Sequence, residues 1–207
     1  MSAVLKTTDP YEQLLNLPDN LVGEIIGGQL HTQPRPAGPH ALAASSIGGE
    51  LYSPFQKGRG GPGGWWIIDE PEIHFVRDVE VLVPDLAGWR RERMPCLPLD
   101  HRFEVVPDWV CEVLSPSTRK KDRVLKMKVY AHHGVAHLWL VDPLEKTLET
   151  YALTHGNWTV TGLYTDEDEV RAAPFDALTL RLVDLWEGGF GSKDEEQTVE
   201  RDEAGNG

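Results

Sequence analysis

Two acidic residues stand within or beside apolar runs that are typical of buried strands. Glu112 lies in the middle of WVCEVL, residues 109–114, and Asp85 follows Pro84 at the end of a valine-rich run. A carboxylate among apolar neighbours is unstable unless a cation or hydrogen bonds compensate it. If the two strands are neighbours, both carboxylates converge on one point, where a hard cation such as Mg²⁺ accepts oxygen ligands.

A lysine-rich segment follows Glu112 directly and predicts a helix from about Ser117 to His133, ended by Gly134. Three of its residues, Asp122, Lys126 and Tyr130, are spaced four apart and therefore share one helix face. A lysine on this face that reaches the two acids could orient or deprotonate a water molecule. The pattern thus indicates hydrolytic chemistry.

The elements before these residues must position them. A short helix is predicted at 9–17, with Asp9 as N-cap, followed by a hairpin at 21–33 that has Glu24 on its first strand. A helix is predicted at 40–56, where His40 is a candidate capping residue, and a glycine-rich loop at 57–64. Strands are predicted at 65–71 and 73–89.

After a proline-containing surface loop at 90–108, the chain alternates between strand and helix. A strand at 109–114 precedes the lysine-rich helix, a continuous apolar run at 137–143 predicts a second buried strand, and residues 147–165 alternate as a hairpin does. This order predicts an α/β or α+β domain built around a mixed sheet. We assign residues 1–187 to one domain and predict that the acidic segment 188–207 is a disordered tail.

The overall charge argues against a nucleic-acid role. The chain of 207 residues has a net charge of −13, whereas proteins that bind nucleic acid usually have a basic surface. The segment 188–207 contributes −4, which leaves −9 on the rest. The sequence shows no membrane-spanning run and no signal peptide, and its two cysteines, Cys96 and Cys111, lie apart, so a cytoplasmic location is expected.

The order Pro84-Asp85, Glu112 and then a lysine resembles the PD-(D/E)xK nuclease superfamily. More narrowly, the chain resembles the Uma-type family of restriction-endonuclease-like proteins, domain of unknown function 820, over residues 9 to 187. The segments that carry the resemblance are VPDLAGWRRERMP, PDWVCEVLSPSTRKKDRVLKMKVYAHHGV and HLWLVDP. Together these segments are specific, whereas an isolated PD followed by an acid is not.

The resemblance implies a restriction-endonuclease-like fold, a mixed central sheet flanked by helices with the N-terminal hairpin as an extension. It implies DNA cleavage with Mg²⁺, or Mn²⁺ as a substitute, held by Asp85, Glu112 and the backbone carbonyl of Val113. The superfamily's lysine is absent two residues after the acid, where this chain has Leu114, and Lys126 is the best replacement. Glu24 is implied as an additional or outer ligand, and a homodimer is expected. The candidates for supporting residues are Asp122, Tyr130 and His40.

Other interpretations remain open at the level of sequence. A buried glutamate is more often a structural ion-pair partner than a metal ligand, and an acid after proline is often only a turn residue. Two competing functions are a catalytically inactive binding or assembly module of nuclease fold, which the acidic charge favours, and a phosphodiesterase acting on small nucleotides.

Overall fold

The computed structural model describes residues 9–187, so the predicted disordered tail, 188–207, lies outside the described residues. The chain begins with helix α1 (Pro10–Leu15), which starts as predicted, because the Asp9 side chain accepts a hydrogen bond of 3.1 Å from the Tyr11 amide. The predicted hairpin follows as strands β1 (Leu21–Ile26) and β2 (Gln29–Pro34), joined through Gly27 and Gly28 at positive φ.

The other strands belong to two larger sheets and one short pair. In chain order they are β3 (Trp65–Asp69), β4 (Glu72–Val76), β5 (Glu80–Leu82), β6 (Leu86–Arg90), β7 (Arg102–Phe103), β8 (Trp109–Val113), β9 (His137–Asp142), β10 (Thr147–Thr154), β11 (Asn157–Thr165), β12 (Glu169–Val170) and β13 (Leu180–Arg181). The first sheet has the order β2-β1-β5-β4-β7, and the second has the order β11-β10-β9-β8-β6-β3. Strands β8 and β9 are parallel and their neighbours antiparallel, so the second sheet is mixed, as predicted.

The segment 73–89, predicted as one strand, instead forms β4, β5 and β6 in two different sheets. A tight turn separates β4 from β5, with Asp78 at a φ of 58°. Pro84 has no amide hydrogen to donate to a ladder, and the chain leaves the first sheet there before β6 enters the second. Asp85 therefore lies where the two sheets adjoin.

Two helical segments pack on opposite faces of the six-stranded sheet. Helix α2 (Gly38–Leu51) continues into a π-helical turn, Tyr52–Gln56, and packs on the face that includes Trp109, Cys111 and Val113. The other face packs against a second segment, residues 119–133, which we call the site helix. It consists of α3 (Arg119–Lys121), a π-helical turn, Asp122–Lys126, and α4 (Met127–His133).

The site helix begins two residues later than predicted. Residues 115–118 form a turn before it, in which the Ser115 hydroxyl accepts a hydrogen bond of 3.3 Å from the Thr118 amide. Its end is as predicted, because Gly134 follows the last turn with a φ of 80°. Within residues 9–187, no helix is long and apolar enough to cross a membrane.

Candidate active site

Glu112 faces the site helix from the middle of strand β8. Val110 and Leu114, which alternate with it along the strand, pack in the same apolar cluster as Tyr130 of the site helix. The Glu112 residue is only 3% exposed, so its carboxylate is removed from water. The strand periodicity seen in the sequence thus gives the observed orientation.

Two residues of the site helix bind the Glu112 carboxylate. The Lys126 ammonium group lies 2.7 Å from Oε1 and 2.8 Å from Oε2, and the Tyr130 hydroxyl donates a hydrogen bond to Oε1. Lys126 is 1% exposed, whereas Lys128 is exposed on another side of the helix. The side of the site helix that faces Glu112 therefore carries Lys126, which is the lysine that the sequence spacing favours.

Glu24 of β1 joins the same cluster from the neighbouring sheet. Its Oε1 lies 2.8 Å from the Lys126 ammonium group and accepts a 3.0 Å hydrogen bond from the Val83 amide. Its Oε2 lies 2.5 Å from the ammonium group of Lys121, which also donates to the Gln33 side chain. The contacts of Lys121 and Gln33 were not expected from the sequence.

Asp85 lies beside Glu112 because of the pairing between β6 and β8. The antiparallel register pairs Leu86 with Cys111, and Asp85 Oδ2 accepts a 2.6 Å hydrogen bond from the Val113 amide. Val113 thus contacts Asp85 through its N–H group, and the metal-binding role of its carbonyl stays a prediction.

His40 lies against the other oxygen of Asp85, with Nε2 at 3.2 Å from Oδ1. The alternative that His40 caps a helix is wrong, because α2 begins at Gly38 after Ala37 and has no side-chain cap. His40 Nδ1 is buried and makes no hydrogen bond within the described residues. The structure therefore places this histidine beside the candidate site.

The cluster contains more negative than positive charge. Asp122 Oδ1 lies 3.9 Å from the Lys126 ammonium group, one turn along the site helix. Glu24, Glu112 and Asp122 lie against two lysines, Lys121 and Lys126, and Asp85 adds a fourth carboxylate beside His40. The formal charge of this group is −2 with His40 neutral. All of these side chains are 15% exposed or less.

This imbalance appears in the acid–base properties of the cluster. Burial is the main cause that raises the pKa of Glu112 well above its ordinary value; the Lys126 ammonium group opposes this rise, and the negative charges of Asp122, Asp85 and Glu24 add to it. For Glu24, burial also favours the neutral form, but Lys126 and Lys121 lower its pKa below the ordinary value. Burial thus shifts the pKa values of Glu112 and Glu24 in the same direction, and the two lysines reverse that shift for Glu24 but not for Glu112.

The donor atoms of the cluster suit a hard divalent cation. Asp85 and Glu112 offer carboxylate oxygens, and a charge of +2 equals the negative excess of the cluster. Within residues 9–187, no group of three or more His, Cys, Asp or Glu side chains is arranged to hold a metal ion. A cation at this point would therefore use one or two carboxylates and complete its coordination with water, which is the usual habit of Mg²⁺.

Two surface hollows border the cluster. The smaller has a volume of about 160 Å³ and is lined in part by His40, Glu70 and Asp85. The larger has a volume of about 300 Å³ and is lined in part by Arg35, Glu70 and Val83. Of the four carboxylates in the cluster, Asp85 is the one that lines one of these two hollows.

Comparisons with known proteins identify the fold and the family of the chain. The chain is similar to a protein described as a "putative nuclease belonging to DUF820" from Anabaena variabilis ATCC 29413, whose crystal structure superposes with a TM-score of 0.68 at 24% sequence identity. The superposition covers 85% of this chain and 96% of that chain, and it confirms the predicted restriction-endonuclease-like fold. No curated protein matches the chain. The family model Uma2, described as "Putative restriction endonuclease", matches residues 9–182, and the chain therefore belongs to this family.

Proposed function

We propose that this protein is a Mg²⁺-dependent nuclease that hydrolyses phosphodiester bonds in DNA, with Mn²⁺ as a substitute metal. The observation that supports the proposal is the meeting of three residues remote in sequence. Asp85 is hydrogen-bonded to the Val113 amide at 2.6 Å, immediately beside Glu112, and Lys126 lies 2.7 Å from Glu112. Membership of the family described as "Putative restriction endonuclease" supports this proposal.

Asp85, Glu112 and the Val113 carbonyl would hold the cation, which when bound stabilises charge on the phosphate and lowers the pKa of water. The protein's own groups keep these acids in place. The Val113 amide and His40 fix the two oxygens of Asp85. Tyr130 and Lys126 fix those of Glu112.

Lys126 has the role that we assign to the lysine of the superfamily motif, although it comes from the following helix. Position 114, where the motif places lysine, is Leu114 and is buried in the apolar core. The negative charges of Glu112 and Glu24 raise the pKa of Lys126 despite burial, so the group remains an ammonium ion. A cationic donor at this point would orient the attacking water and balance charge on the phosphate.

Cleavage of supercoiled plasmid with Mg²⁺ or Mn²⁺ tests this proposal. We expect nicked or linear product from the wild-type protein, and at least a hundredfold less from Asp85→Ala and Glu112→Ala, because each removes a candidate metal ligand. The control is Glu145→Ala, which removes an exposed acid in the turn after β9 and should leave the rate unchanged. Equal rates for Asp85→Ala and Glu145→Ala would refute the proposed site.

A second candidate function is hydrolysis of small nucleotide phosphodiesters. It is favoured by the burial of the cluster, because Glu112 is 3% exposed and Lys126 is 1% exposed, and by the net charge of −13. A small substrate can enter a hollow of about 160 Å³ without a basic groove. Parallel assays with bis(p-nitrophenyl) phosphate, cyclic dinucleotides and plasmid would show which class the site prefers.

If a folded wild-type protein cleaves none of these compounds, the inactive binding or assembly module becomes the better description. The homodimer that the resemblance implies stays a prediction, which analytical ultracentrifugation would test. The cytoplasmic location also stays a prediction.

A further inference from the structure

An exposed guanidinium group lies at the edge of the candidate site. Arg35 follows strand β2, and its Nη1 donates a 3.3 Å hydrogen bond to Glu70 Oε2. Its Nε donates to the carbonyl oxygen of Asp19 at 3.3 Å, which holds the plane of the guanidinium group. The side chains of Arg35 and Glu70 are 57% and 41% exposed, so the pair lies in solvent.

The backbone of Glu70 connects this ion pair to Asp85. The Glu70 amide donates a 3.1 Å hydrogen bond to the Asp85 carbonyl oxygen, and Glu70 has a φ of 43°. Glu70 lines both hollows, whereas Arg35 lines the larger and the adjacent Pro36 lines the smaller. The ion pair therefore lies where the two hollows meet, beside the carboxylate that is the most exposed of the cluster.

The other cations near the site already bind its acids. Lys126 is 1% exposed between Glu24 and Glu112, and Lys121 is 14% exposed on Glu24. Among the described residues that line the two hollows, Arg35 is the one arginine or lysine. Its Nη2 makes no hydrogen bond within residues 9–187. Arg35 thus has donors available to an anion that enters from solvent.

We propose that Arg35 binds a non-bridging oxygen of the substrate's phosphodiester group at the point where the two hollows meet. On binding, the guanidinium group leaves the Glu70 carboxylate and pairs with the phosphate instead. A guanidinium fork matches the geometry of a phosphate, and an exposed ion pair contributes too little stability to resist the exchange. Glu70 then acts as a competing anion that occupies Arg35 in the absence of substrate. This inference rests on the proposed nuclease function and adds its substrate-binding residue.

Three substitutions at the pair predict effects of different sign. Arg35→Gln removes the phosphate-binding charge and should weaken binding of DNA about tenfold, the loss expected for one charge-assisted contact. Arg35→Lys keeps the charge without the fork and should have an intermediate effect. Glu70→Gln releases Arg35 and removes a charge that repels the phosphate, so it should strengthen DNA binding several-fold. In the background of Arg35→Gln, the same substitution should strengthen binding less.

Fluorescence anisotropy of the full chain with labelled single-stranded and duplex oligonucleotides measures these affinities. EDTA in the buffer prevents metal-dependent cleavage, and a salt titration measures the number of phosphate contacts. For Arg35→Gln, the slope of log Kd against log salt should fall by roughly 0.7 to 0.9, the value for one lost phosphate contact. Comparing the two oligonucleotides shows whether the phosphate belongs to a single strand or a duplex.

The matched controls are Arg77→Gln and Glu104→Gln. Arg77 and Glu104 also form an exposed ion pair, at 2.8 Å, and line neither of these two hollows. Each substitution changes the net charge by the same amount as its counterpart, but it should leave the salt slope unchanged. Thermal melting of all variants checks that their folds are intact.

The possible results separate the two proposals. If Arg35→Gln and Arg77→Gln lower affinity and salt slope equally while the wild-type protein cleaves DNA, the role of Arg35 is refuted and the nuclease function stands. If the wild-type protein neither binds nor cleaves any phosphodiester, both are refuted. A loss specific to Arg35→Gln, together with a gain for Glu70→Gln, supports the exchange.

Discussion

Two regions of this molecule bury titratable side chains, and they do so differently. Under α1, the Tyr11 hydroxyl and His74 Nε2 both donate to Glu72, at 3.0 and 2.7 Å, and Arg102 binds Asp78 at 3.2 Å. The two acids of this group remain 23% and 36% exposed. In the site cluster, the carboxylates of Glu24, Glu112 and Asp122 are 4% exposed or less.

The difference indicates which region is built for stability alone. The network under α1 keeps its ionised groups at the protein surface and places only neutral or histidine groups inside, which is an inexpensive way to satisfy polar atoms. The site cluster keeps four carboxylates against two lysines in the interior, an arrangement that costs folding free energy. Such an excess is expected where a divalent cation completes the charge balance.

Removing the central cation of the cluster should have the largest effect on stability. Lys126→Met leaves Glu24 and Glu112 buried without their shared ammonium group, and we expect a loss of about 3–5 kcal/mol in the free energy of unfolding. Lys128→Met is the control, since Lys128 is exposed on the same helix and should change stability by less than about 0.5 kcal/mol. Urea denaturation measures both. Equal stability of the two variants would show that the buried acids do not depend on Lys126.

Adding Mg²⁺ should stabilise the site cluster and leave the network under α1 unaffected. A ligand that binds only the folded state at ten times its Kd contributes about 1.4 kcal/mol, which raises Tm by a few degrees for a chain of this size. Asp85→Asn should abolish this shift in Tm, because it removes a candidate metal ligand that lines the smaller hollow. Asp78→Asn, in the other region, should retain it. Differential scanning calorimetry in EDTA and in Mg²⁺ measures the shift.

The sequence predicts the parts of the site that regular periodicity determines. Alternation along 109–114 puts Glu112 on the face opposite Trp109, and spacing of four puts Asp122, Lys126 and Tyr130 together on the site helix. Asp85 stands out in the sequence as an acid at the end of a valine-rich run and as part of the nuclease motif, and the pairing of β6 with β8 brings it beside Glu112. These are short-range rules and a motif, both visible in one chain.

Lys121 was missed because its position depends on an irregular helix. At 100° per residue, an α-helix separates positions 121 and 126 by about 140°, so they should face different ways. The π-helical turn Asp122–Lys126 has the wider i to i+5 spacing, and both ammonium groups reach Glu24. Arg35 and Glu70 were missed for another reason, since their contact joins two loops and follows no period.

A smaller effect should follow from disturbing the network under α1. Tyr11→Phe removes the hydroxyl that lies 3.0 Å from Glu72 and 3.1 Å from His101, and we expect a loss of about 1 kcal/mol in the free energy of unfolding. The matched control is Tyr52→Phe, because the Tyr52 ring is exposed and its hydroxyl makes no hydrogen bond within residues 9–187. Plasmid cleavage should be unchanged in both variants. Reduced cleavage by Tyr11→Phe would link the two regions functionally.

Neutralising one acid of the site cluster should separate stability from activity. Because the pKa of Glu112 is raised, its ionisation at neutral pH disfavours the folded protein, and a neutral amide avoids this cost. Glu112→Gln keeps an oxygen at the Oε1 position, within reach of Tyr130 and Lys126, but puts an amide NH2 group at the Oε2 position, 2.8 Å from the Lys126 ammonium group. The burial cost that is removed and the new repulsion oppose each other, so we expect the free energy of unfolding in EDTA to change by less than about 1 kcal/mol. Cleavage should nevertheless be lost, and Glu145→Gln should change neither quantity. If Glu112→Gln instead destabilised the protein by several kcal/mol, its carboxylate would be a structural partner of Lys126, and the contrast between the two buried regions would disappear.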